Sequence, residues 1–435
     1  VGILNQGATC YMNSLLQTLY HTKYFRKCVY QLPTEEDKVG ASIPLALQRL
    51  FYNMQFAESA VSTKELTKSF GWDAMESFYQ HDVQELNRVL CDNLETKMKG
   101  TEVEGAIGKL FEGKLFNYIK CLNVDYSSTR TESFFDVSLD VKGNKNVYDA
   151  FEDYVAEDTL DGENQYSTED YGKQDAVKGI RFEVLPPVLQ LHLKRFQYDY
   201  QTGAFNKIND RFEFPTVLEL DKYLSESADK SVPQVYDLFG VLIHSGGVQG
   251  GHYYAFVRPS DEPQWLRFDD DKVIKVKDKQ ALNENFGWTP SAGGNDGFRS
   301  IRMARRYTNA YMLIYVRRAD SHWVNEELTD DVIPEHLRER IERENAERAE
   351  QEKARREAHL YVNIRIIRDK DLEGHRDVDL VNVTNVEPIK VKKDSTLEGL
   401  KKEVEKKWGI PAASQRYWYW LNRKNKTSRP SRIVP

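Results

Sequence analysis

One stretch at the start of the chain decides how the rest is interpreted: residues 1–14 read VGILNQGATCYMNS. Cys10 follows a glycine-bearing turn, and apolar residues continue from there at helical spacing through Leu19. With Thr9 as the N-cap, Cys10 lies in the first helical turn, where unpaired amides and the helix dipole favour a thiolate. The stretch predicts a nucleophilic cysteine, although a buried cysteine in an ordinary helix explains it as well when it is taken alone.

A second stretch offers a general base: residues 240–273 read GVLIHSGGVQGGHYYAFVRPSDEPQWLRFDDDKV. Glycine and proline punctuate apolar runs, which is typical of strands joined by turns. If the two runs flanking Pro259 pair as a hairpin, His252 lies directly opposite Asp269. A carboxylate in that place fixes the imidazole tautomer and leaves the other ring nitrogen facing a nucleophile.

The neighbouring acids leave an alternative open. Asp271 shares a strand face with Asp269, whereas Asp270 points to the other face. We favour Asp269 as the partner of His252, with Asp270 as the alternative. A satisfied histidine and a solvated strand end would explain these residues separately. Their joint occurrence with Cys10, in the order Cys, His, Asp, indicates a papain-type cysteine peptidase with about 100 residues inserted between its halves.

The motifs around these residues resemble those of the ubiquitin-specific protease family (peptidase C19). NQGATCYMNSLLQTL resembles the cysteine box of the family, and GGHYYAFVR followed by WLRFDDDKV resembles the histidine box. Further matches are SFGWDAMESFYQHDVQEL, LPPVLQLHLKRFQYD, NDRFEFP and NAYMLIYVR. Together they extend from residue 1 to about residue 317.

The resemblance implies a fold and a reaction. The fold is α+β, a papain-like protease with thumb, palm and fingers. The reaction is hydrolysis of the isopeptide or peptide bond after the C-terminal glycine of ubiquitin, through an acyl-enzyme. Cys10 matches the nucleophile, His252 the general base and acid, and Asp269 the residue that orients the imidazole. Asn5 matches the donor of a side-chain amide to the oxyanion, a role that a preorganised amide suits chemically.

The same resemblance suggests how ubiquitin is held. The tail of ubiquitin is basic, and Asp82 and Glu85 lie three residues apart, on one face of a predicted helix. An ordinary charged helix face would have the same pattern. The positions that match ubiquitin contacts are Gln80, Asp82, Glu85, Phe196, His244 and Tyr253.

Two segments are predicted to change conformation. The loop SGGVQGG at 245–251 is rich in glycine, which tolerates positive φ, and we expect it to act as a flexible gate over the tail channel. Trp72 falls where the resemblance implies a switching loop that realigns the catalytic cysteine. A tryptophan beside a glycine is otherwise an ordinary packing residue.

Composition excludes several classes of function. The chain has 435 residues and a net charge of −7, which argues against nucleic acid as the main partner. No apolar run reaches the roughly 18 residues of a membrane span. Four cysteines are too few for a disulfide scaffold and fit a reducing intracellular compartment, in line with the nucleus and cytoplasm. The fingers region contains a single cysteine, Cys121, so neither zinc nor another cofactor is expected.

The predicted domains are a catalytic domain at 1–318, with the fingers insertion at about 111–210, a charged connector helix at 319–358 and an incomplete ubiquitin-like domain at 359–435. Acid-first pairs four residues apart, such as Glu352 with Arg356, support a solvated helix without a core. Since the chain starts without methionine and stops inside a predicted domain, we expect it to be part of a longer protein.

The last predicted domain begins with the strands LYVNIRII and VEPIKVKK. A capping box of Ser395 and Glu398 opens the helix TLEGLKKEVEKKWG, and RYWYWL is a third strand. This order resembles the first part of a β-grasp domain, on which regulators could dock. The aromatic residues of RYWYWL fit core filling better than a partner surface.

Three functions compete at this stage. The leading hypothesis is an active deubiquitinating thiol protease. A ubiquitin-binding scaffold with little turnover is the alternative from the binding class. A general papain-like peptidase is the third, and the acidic residues predicted for the tail channel argue against it.

Overall fold

The computed structural model describes residues 1–71, 82–200, 203–248, 250–260, 262–288, 307–373, 380–424 and 427–435. Trp72 and Gln80 lie outside the described residues. The chain divides into two compact units, Val1–Arg338 and Glu339–Pro435. The division falls inside a helix, whereas the sequence placed the end of the catalytic domain at 318.

Helices dominate the first part of the first unit, and their N-termini follow local capping rules. Ser42 accepts a hydrogen bond from the amide of Leu45 at 3.2 Å, and Asp82 accepts one from Gln84 at 2.7 Å. The helices are α1 Cys10–His21, α2 Lys23–Tyr30, α3 Ile43–Phe56, α4 Lys64–Ser69, α5 Val83–Met98, α6 Ala106–Phe111, α7 Val147–Tyr154, α8 Asp278–Ala281 and α9 Ser321–Val324.

Strands form the rest of the first unit. The first half are β1 Ile3–Leu4, β2 Val61–Ser62, β3 Gly113–Cys121, β4 Ser127–Phe134, β5 Val137–Asp140, β6 Asp158–Leu160, β7 Tyr166–Thr168, β8 Gly172–Gln174 and β9 Ala176–Val184. The others are β10 Val188–Lys194, β11 Phe196–Asp199, β12 Ala204–Lys207, β13 Val217–Glu219, β14 Val235–Gly247, β15 Gly250–Val257, β16 Trp265–Asp269, β17 Lys272–Val276 and β18 Thr308–Arg317. This mixture of helices and sheets confirms the α+β class.

The large sheet has the order β17-β16-β15-β14-β18-β10-β5, with β13 paired to β14. All of these pairs are antiparallel except β10 with β5. Residues of β14 and β18 are almost continuously buried, as expected for central strands covered on both faces. Helix α1 packs against β15. A helix from the start of the unit's sequence therefore lies beside a strand from its last third.

A second sheet has the order β4-β3-β9-β6. The stretches GKLFNYIKCLNVDY and SFFDVSLDV alternate as strands should, which predicts a strand in each. They contain β3 and β5, which confirms both predictions. Cys121 is buried at the end of β3. Phe182 of β9 lies in one core with Trp265 of β16, so the two sheets share a continuous apolar interior.

The charged segment forms one helix, α10 Glu335–Glu357. Of the predicted acid-first pairs, Glu352 lies 4.0 Å from Arg356. Leu337 and Ile341 are buried. The sequence predicted a solvated helix, and this prediction is wrong for its first turns. Among the described residues, no helix is both long and apolar enough to cross a membrane.

The second unit contains two antiparallel pairs, β19 Tyr361–Arg365 with β20 Pro388–Lys392 and β21 Trp418–Asn422 with β22 Ser428–Ile433. Its helices beyond α10 are α11 Asp369–Leu372 and α12 Leu397–Trp408. The capping box predicted at Ser395 is wrong by one residue. Thr396 is the N-cap of α12, and its side chain accepts from the amide of Gly399 at 3.3 Å.

Candidate active site

Cys10 is the first residue of α1, as predicted, and it is 2 % exposed. The amide of Tyr253 donates to its Sγ at 3.4 Å, which links the helix start directly to β15. Thr9 occupies the N-cap position, but its side chain does not cap the helix. Its Oγ1 instead accepts from the amide of Gln6 at 3.0 Å. Thr9 therefore does not contribute a side-chain cap to the start of α1, where the thiol lies.

His252 and Asp269 meet, but not in the register that the sequence suggested. Ala255 pairs with Phe268, which places Asp269 diagonally to His252 rather than directly opposite. A shift of two residues keeps both side chains on the same face of the sheet, and a diagonal pair is still within reach of long side chains. The Nε2 of His252 and the Oδ1 of Asp269 are 2.6 Å apart.

The electrostatics of this pair favour a charged imidazole. The hydrogen bond to Asp269, followed by the hydrogen bond to Cys10, raises the pKa of His252 to about 10. The pKa of Asp269 is lowered by its bond to His252 and by the charge of Arg267, whose Nη2 lies 2.5 Å from Oδ2. Since Nε2 is engaged by the carboxylate, Nδ1 is the ring nitrogen left to face the thiol.

Asp270 has different partners from Asp269. It lies in the turn after β16 with φ of 51°, a left-handed conformation that aspartate tolerates better than most residues. Its Oδ2 accepts a hydrogen bond from the side-chain amide of Asn5 at 2.9 Å, and its Oδ1 accepts one from the side-chain amide of Asn13 at 2.8 Å. Asp270 therefore holds Asn5, while Asp269 holds the imidazole.

Four aromatic rings form one cluster next to the thiol. They include three predicted substrate contacts, Phe196, His244 and Tyr253, together with Tyr311 of β18. The ring centroids of His244 and Tyr253 are 4.7 Å apart, and those of Tyr253 and Tyr311 are 5.6 Å apart. Burial lowers the pKa of His244 to about 3, so it is neutral. His244 and Tyr253 are buried and Phe196 is partly exposed, so Phe196 presents the accessible part of the cluster.

Tyr311 was not singled out by the sequence. It belongs to the matched stretch NAYMLIYVR, and an aromatic residue in a continuous apolar run has the pattern of core filling. Its hydroxyl distinguishes it from an ordinary core residue. The hydroxyl donates to the Oδ2 of Asp82 at 2.6 Å and lies 3.0 Å from the Nε2 of His192. Tyr311 thereby connects the aromatic cluster to the predicted acidic site.

Asp82 and Glu85 are both exposed, but Asp82 is not on the face of a helix. It is the N-cap of α5, and its Oδ1 accepts from the amide of Gln84. The prediction of two carboxylates on one helical face is therefore wrong for Asp82. An aspartate followed three residues later by a glutamate is the pattern of a helix start, which explains the difference.

The predicted glycine-rich loop is mostly strand. Gly246 pairs with Gly251 and Gly247 with Gly250, so these four glycines belong to the paired strands β14 and β15. Gly246 and Gly251 are tightly packed, whereas Gly247 and Gly250 have open space around them in the described structure. A Cβ on Gly251 would overlap the Nε2 of His244, and Gly246 has φ of +120°.

A substitution of Gly251 tests this packing. We expect Gly251→Ala to destabilise the protein by about 1 to 3 kcal/mol, since His244 must move away from the hairpin. If the chain has the ubiquitin hydrolase activity that the sequence resemblance implies, kcat/KM for a ubiquitin–coumarin substrate should fall at least roughly tenfold, because the displaced strand carries His252. Thermal unfolding and initial rates measure the two effects.

Gly250→Ala is the matched control on the same hairpin. A Cβ there meets none of the described atoms within 4 Å. Its stability and rate should equal those of the wild type. Equal behaviour of both variants would contradict the role given to Gly251.

One cluster of the described residues has the spacing of a cation site, namely His252, Asp269 and Asp270. Its donor atoms are already engaged with one another and with the amides of Asn5 and Asn13. To bind a metal ion, these atoms would have to exchange those hydrogen bonds for bonds to the ion.

Comparison with known proteins agrees with this geometry. The profile of the family described as "Ubiquitin carboxyl-terminal hydrolase" matches residues 1–315. The chain is 52% identical to "Ubiquitin C-terminal hydrolase 12" of Arabidopsis thaliana, over 99% of this chain and 40% of that protein. It is 43% identical to "Ubiquitin carboxyl-terminal hydrolase 15" of Saccharomyces cerevisiae, over 99% and 37% respectively. For "Ubiquitin carboxyl-terminal hydrolase 7" of Drosophila melanogaster the identity is 45%, over 96% and 36%. The chain thus spans about two fifths of the length of these relatives.

Proposed function

Because this chain belongs to the ubiquitin carboxyl-terminal hydrolase family, we propose that it is a deubiquitinating cysteine protease that cleaves the bond after the C-terminal glycine of ubiquitin. The observation that carries the proposal is the alignment of three side chains. His252 hydrogen-bonds Asp269, and the amide of the next residue, Tyr253, donates to the Sγ of Cys10, so the imidazole lies beside the thiol in the arrangement that activates it for acyl transfer.

The reaction follows from that alignment. The Cys10 thiolate attacks the carbonyl carbon of the last glycine, and the C–O double bond becomes an oxyanion that the Asn5 amide stabilises. His252 then gives its proton to the leaving lysine amine as the C–N bond breaks. Water, deprotonated by His252, attacks the thioester and releases the glycine carboxylate and the free thiol. Asp269 keeps the imidazole in line throughout.

The substrate contacts are part of the proposal. Asp82 is an exposed carboxylate bonded to Tyr311 of the aromatic cluster, and Glu85 adds a second exposed carboxylate on the first turn of α5, which suits a basic tail. Phe196 is partly exposed at the same place. Gln80 and the switching role of Trp72 are carried over from the sequence resemblance, as is the gate formed by the β14–β15 hairpin.

The architecture of the family is assigned as follows. The helices α1–α6 are the thumb, the large sheet is the palm, and the β4-β3-β9-β6 sheet is the fingers. The order of strands and helix in the second unit supports an incomplete ubiquitin-like β-grasp domain, on which regulators dock. Within the family, the motifs resemble the herpesvirus-associated ubiquitin-specific protease. Four free cysteines support a reducing compartment, the nucleus and cytoplasm.

A comparison of two substrates tests this function. We expect the chain to hydrolyse ubiquitin–coumarin at least about 100-fold more efficiently than a coumarin peptide with only the last five residues of ubiquitin, since most binding energy comes from the folded substrate. Initial rates at equal enzyme concentration measure the ratio. Comparable rates would indicate a general peptidase. Binding of ubiquitin without any hydrolysis would indicate a scaffold.

A further inference from the structure

One partly buried lysine has no part in the reaction described above. Lys207 ends β12, and its Nζ donates to three backbone carbonyls: those of His244 at 3.0 Å, Gly246 at 3.0 Å and Tyr307 at 2.7 Å. Within the described part of the chain, every recorded partner of this ammonium is a carbonyl oxygen. An ammonium has three N–H donors, so the number of donors matches the number of acceptors.

Two of the three carbonyls belong to β14, and the third belongs to the residue that precedes β18. His244 and Gly246 flank Ser245, and Ser245 is the residue of β14 that pairs with His252. The carbonyl of Tyr307, just before β18, also accepts from the amide of Gly246 at 3.0 Å. The Lys207 ammonium thus binds the β14 backbone on both sides of Ser245, the residue that pairs with His252.

The environment of Lys207 disfavours the charged form of its amine. Burial, together with the charge of Arg195, lowers the pKa of the Lys207 amine to about 7. His244 faces the same region and is neutral. A long side chain that could have reached solvent is instead held inside, by directed bonds to backbone oxygens.

We propose that Lys207 is a positioning residue for the catalytic pair: it fixes β14 opposite His252 and through β14 keeps the imidazole aligned with Cys10 and Asp269. The inference rests on the proposed roles of Cys10 and His252. It assigns Lys207 no contact with the substrate. The hairpin of β11 and β12 is thereby connected to the imidazole through one side chain.

The test uses the 435-residue chain and a reaction that needs no ubiquitin. Iodoacetamide alkylates thiolates, so the rate of Cys10 modification against pH reports the thiolate paired with the imidazolium. Mass spectrometry assigns the modified cysteine. Burial raises the pKa of Cys28 to about 11 and that of Cys91 to about 12, which keeps both thiols slow.

For Lys207→Met we expect the alkylation rate of Cys10 at pH 7 to fall roughly ten- to a hundredfold, because the imidazole is no longer held against the thiol. The kcat for ubiquitin–coumarin should fall by a similar factor with little change in KM. Lys207→Arg, which keeps the charge and the donors, should restore most of the rate. Lys114→Met, an exposed lysine on β3, is the control and should match the wild type.

An unchanged pH profile in Lys207→Met would overturn the inference, even if the melting temperature falls. If this variant does not fold, Lys207→Gln replaces it under the same criteria. The two proposals fail separately. If alkylation of Cys10 is faster in the wild type than in Lys207→Met but the wild type does not hydrolyse ubiquitin–coumarin, the result contradicts the proposed function alone. A wild type that hydrolyses ubiquitin and an equally active Lys207→Met contradict the inference alone.

Discussion

Cys10→Ala is expected to lower kcat/KM for ubiquitin–coumarin by about 10⁴- to 10⁶-fold, to the background of the assay. The thiol is the atom that forms the acyl bond, and the aligned imidazole has no nucleophile to activate without it. Removal of one buried sulfur leaves the aromatic cluster and the acidic residues in place. The Kd for ubiquitin, measured by calorimetry, should therefore stay within about threefold of the wild type.

A ubiquitin probe with a C-terminal electrophile gives the direct readout. The wild type should form a covalent adduct at Cys10, and Cys10→Ala should form none. Cys121→Ala is the matched control, since Cys121 is also buried but lies at the end of β3 in the other sheet. It should label and turn over normally. Labelling that persists in Cys10→Ala would show that another residue is the nucleophile.

Asp269→Asn should lower kcat by about 10²- to 10⁴-fold, because an amide cannot hold the imidazolium in the same way as a carboxylate. The bond to Asp269 is the largest cause of the raised pKa of His252. Without it the pKa falls from about 10 toward the ordinary value near 6.5. The imidazolium is then lost above roughly pH 7 instead of near pH 10, and the thiolate loses its partner over that range.

Asp270→Asn separates the two neighbouring acids. Asparagine tolerates the left-handed backbone at this position, and the change weakens the bonds to Asn5 and Asn13 without touching His252. We expect a fall in kcat of roughly tenfold or less, with the pH profile of Cys10 alkylation unchanged. If the shifted profile occurs in Asp270→Asn rather than in Asp269→Asn, the assignment of the triad must be reversed.

The sequence predicted the parts of the fold that depend on local patterns. The helix at Cys10, the strands β3 and β5 and the charged helix α10 all follow from spacing or pairing of charges. Register and caps were predicted less well. The partner of Ala255 and the cap of α12 each depend on one or two residues of offset, which twist and turn geometry decide and which spacing alone does not.

The sequence predicted the candidate site residues whose side-chain chemistry is distinctive. It missed residues whose place in the site depends on packing. The structure brings Cys10, His252 and Asp269 together. Tyr311 and Lys207 were missed, because an aromatic residue in an apolar strand and a lysine at a strand end are both common without any special role. What distinguishes them is the set of groups that they meet, and those groups come from distant parts of the chain.

The contact between α1 and β15 also determines when the thiol becomes chemically competent during synthesis. Cys10 is near the beginning of the chain, and its partner Tyr253 follows 243 positions later. A ribosome that adds about 5 to 20 residues per second needs roughly 10 to 50 s between them. Throughout that time the nascent polypeptide has a nucleophile but no imidazole to ionise it. The proposed hydrolysis therefore requires chains whose translation has passed the β16 strand, and an abortive product released earlier should lack it.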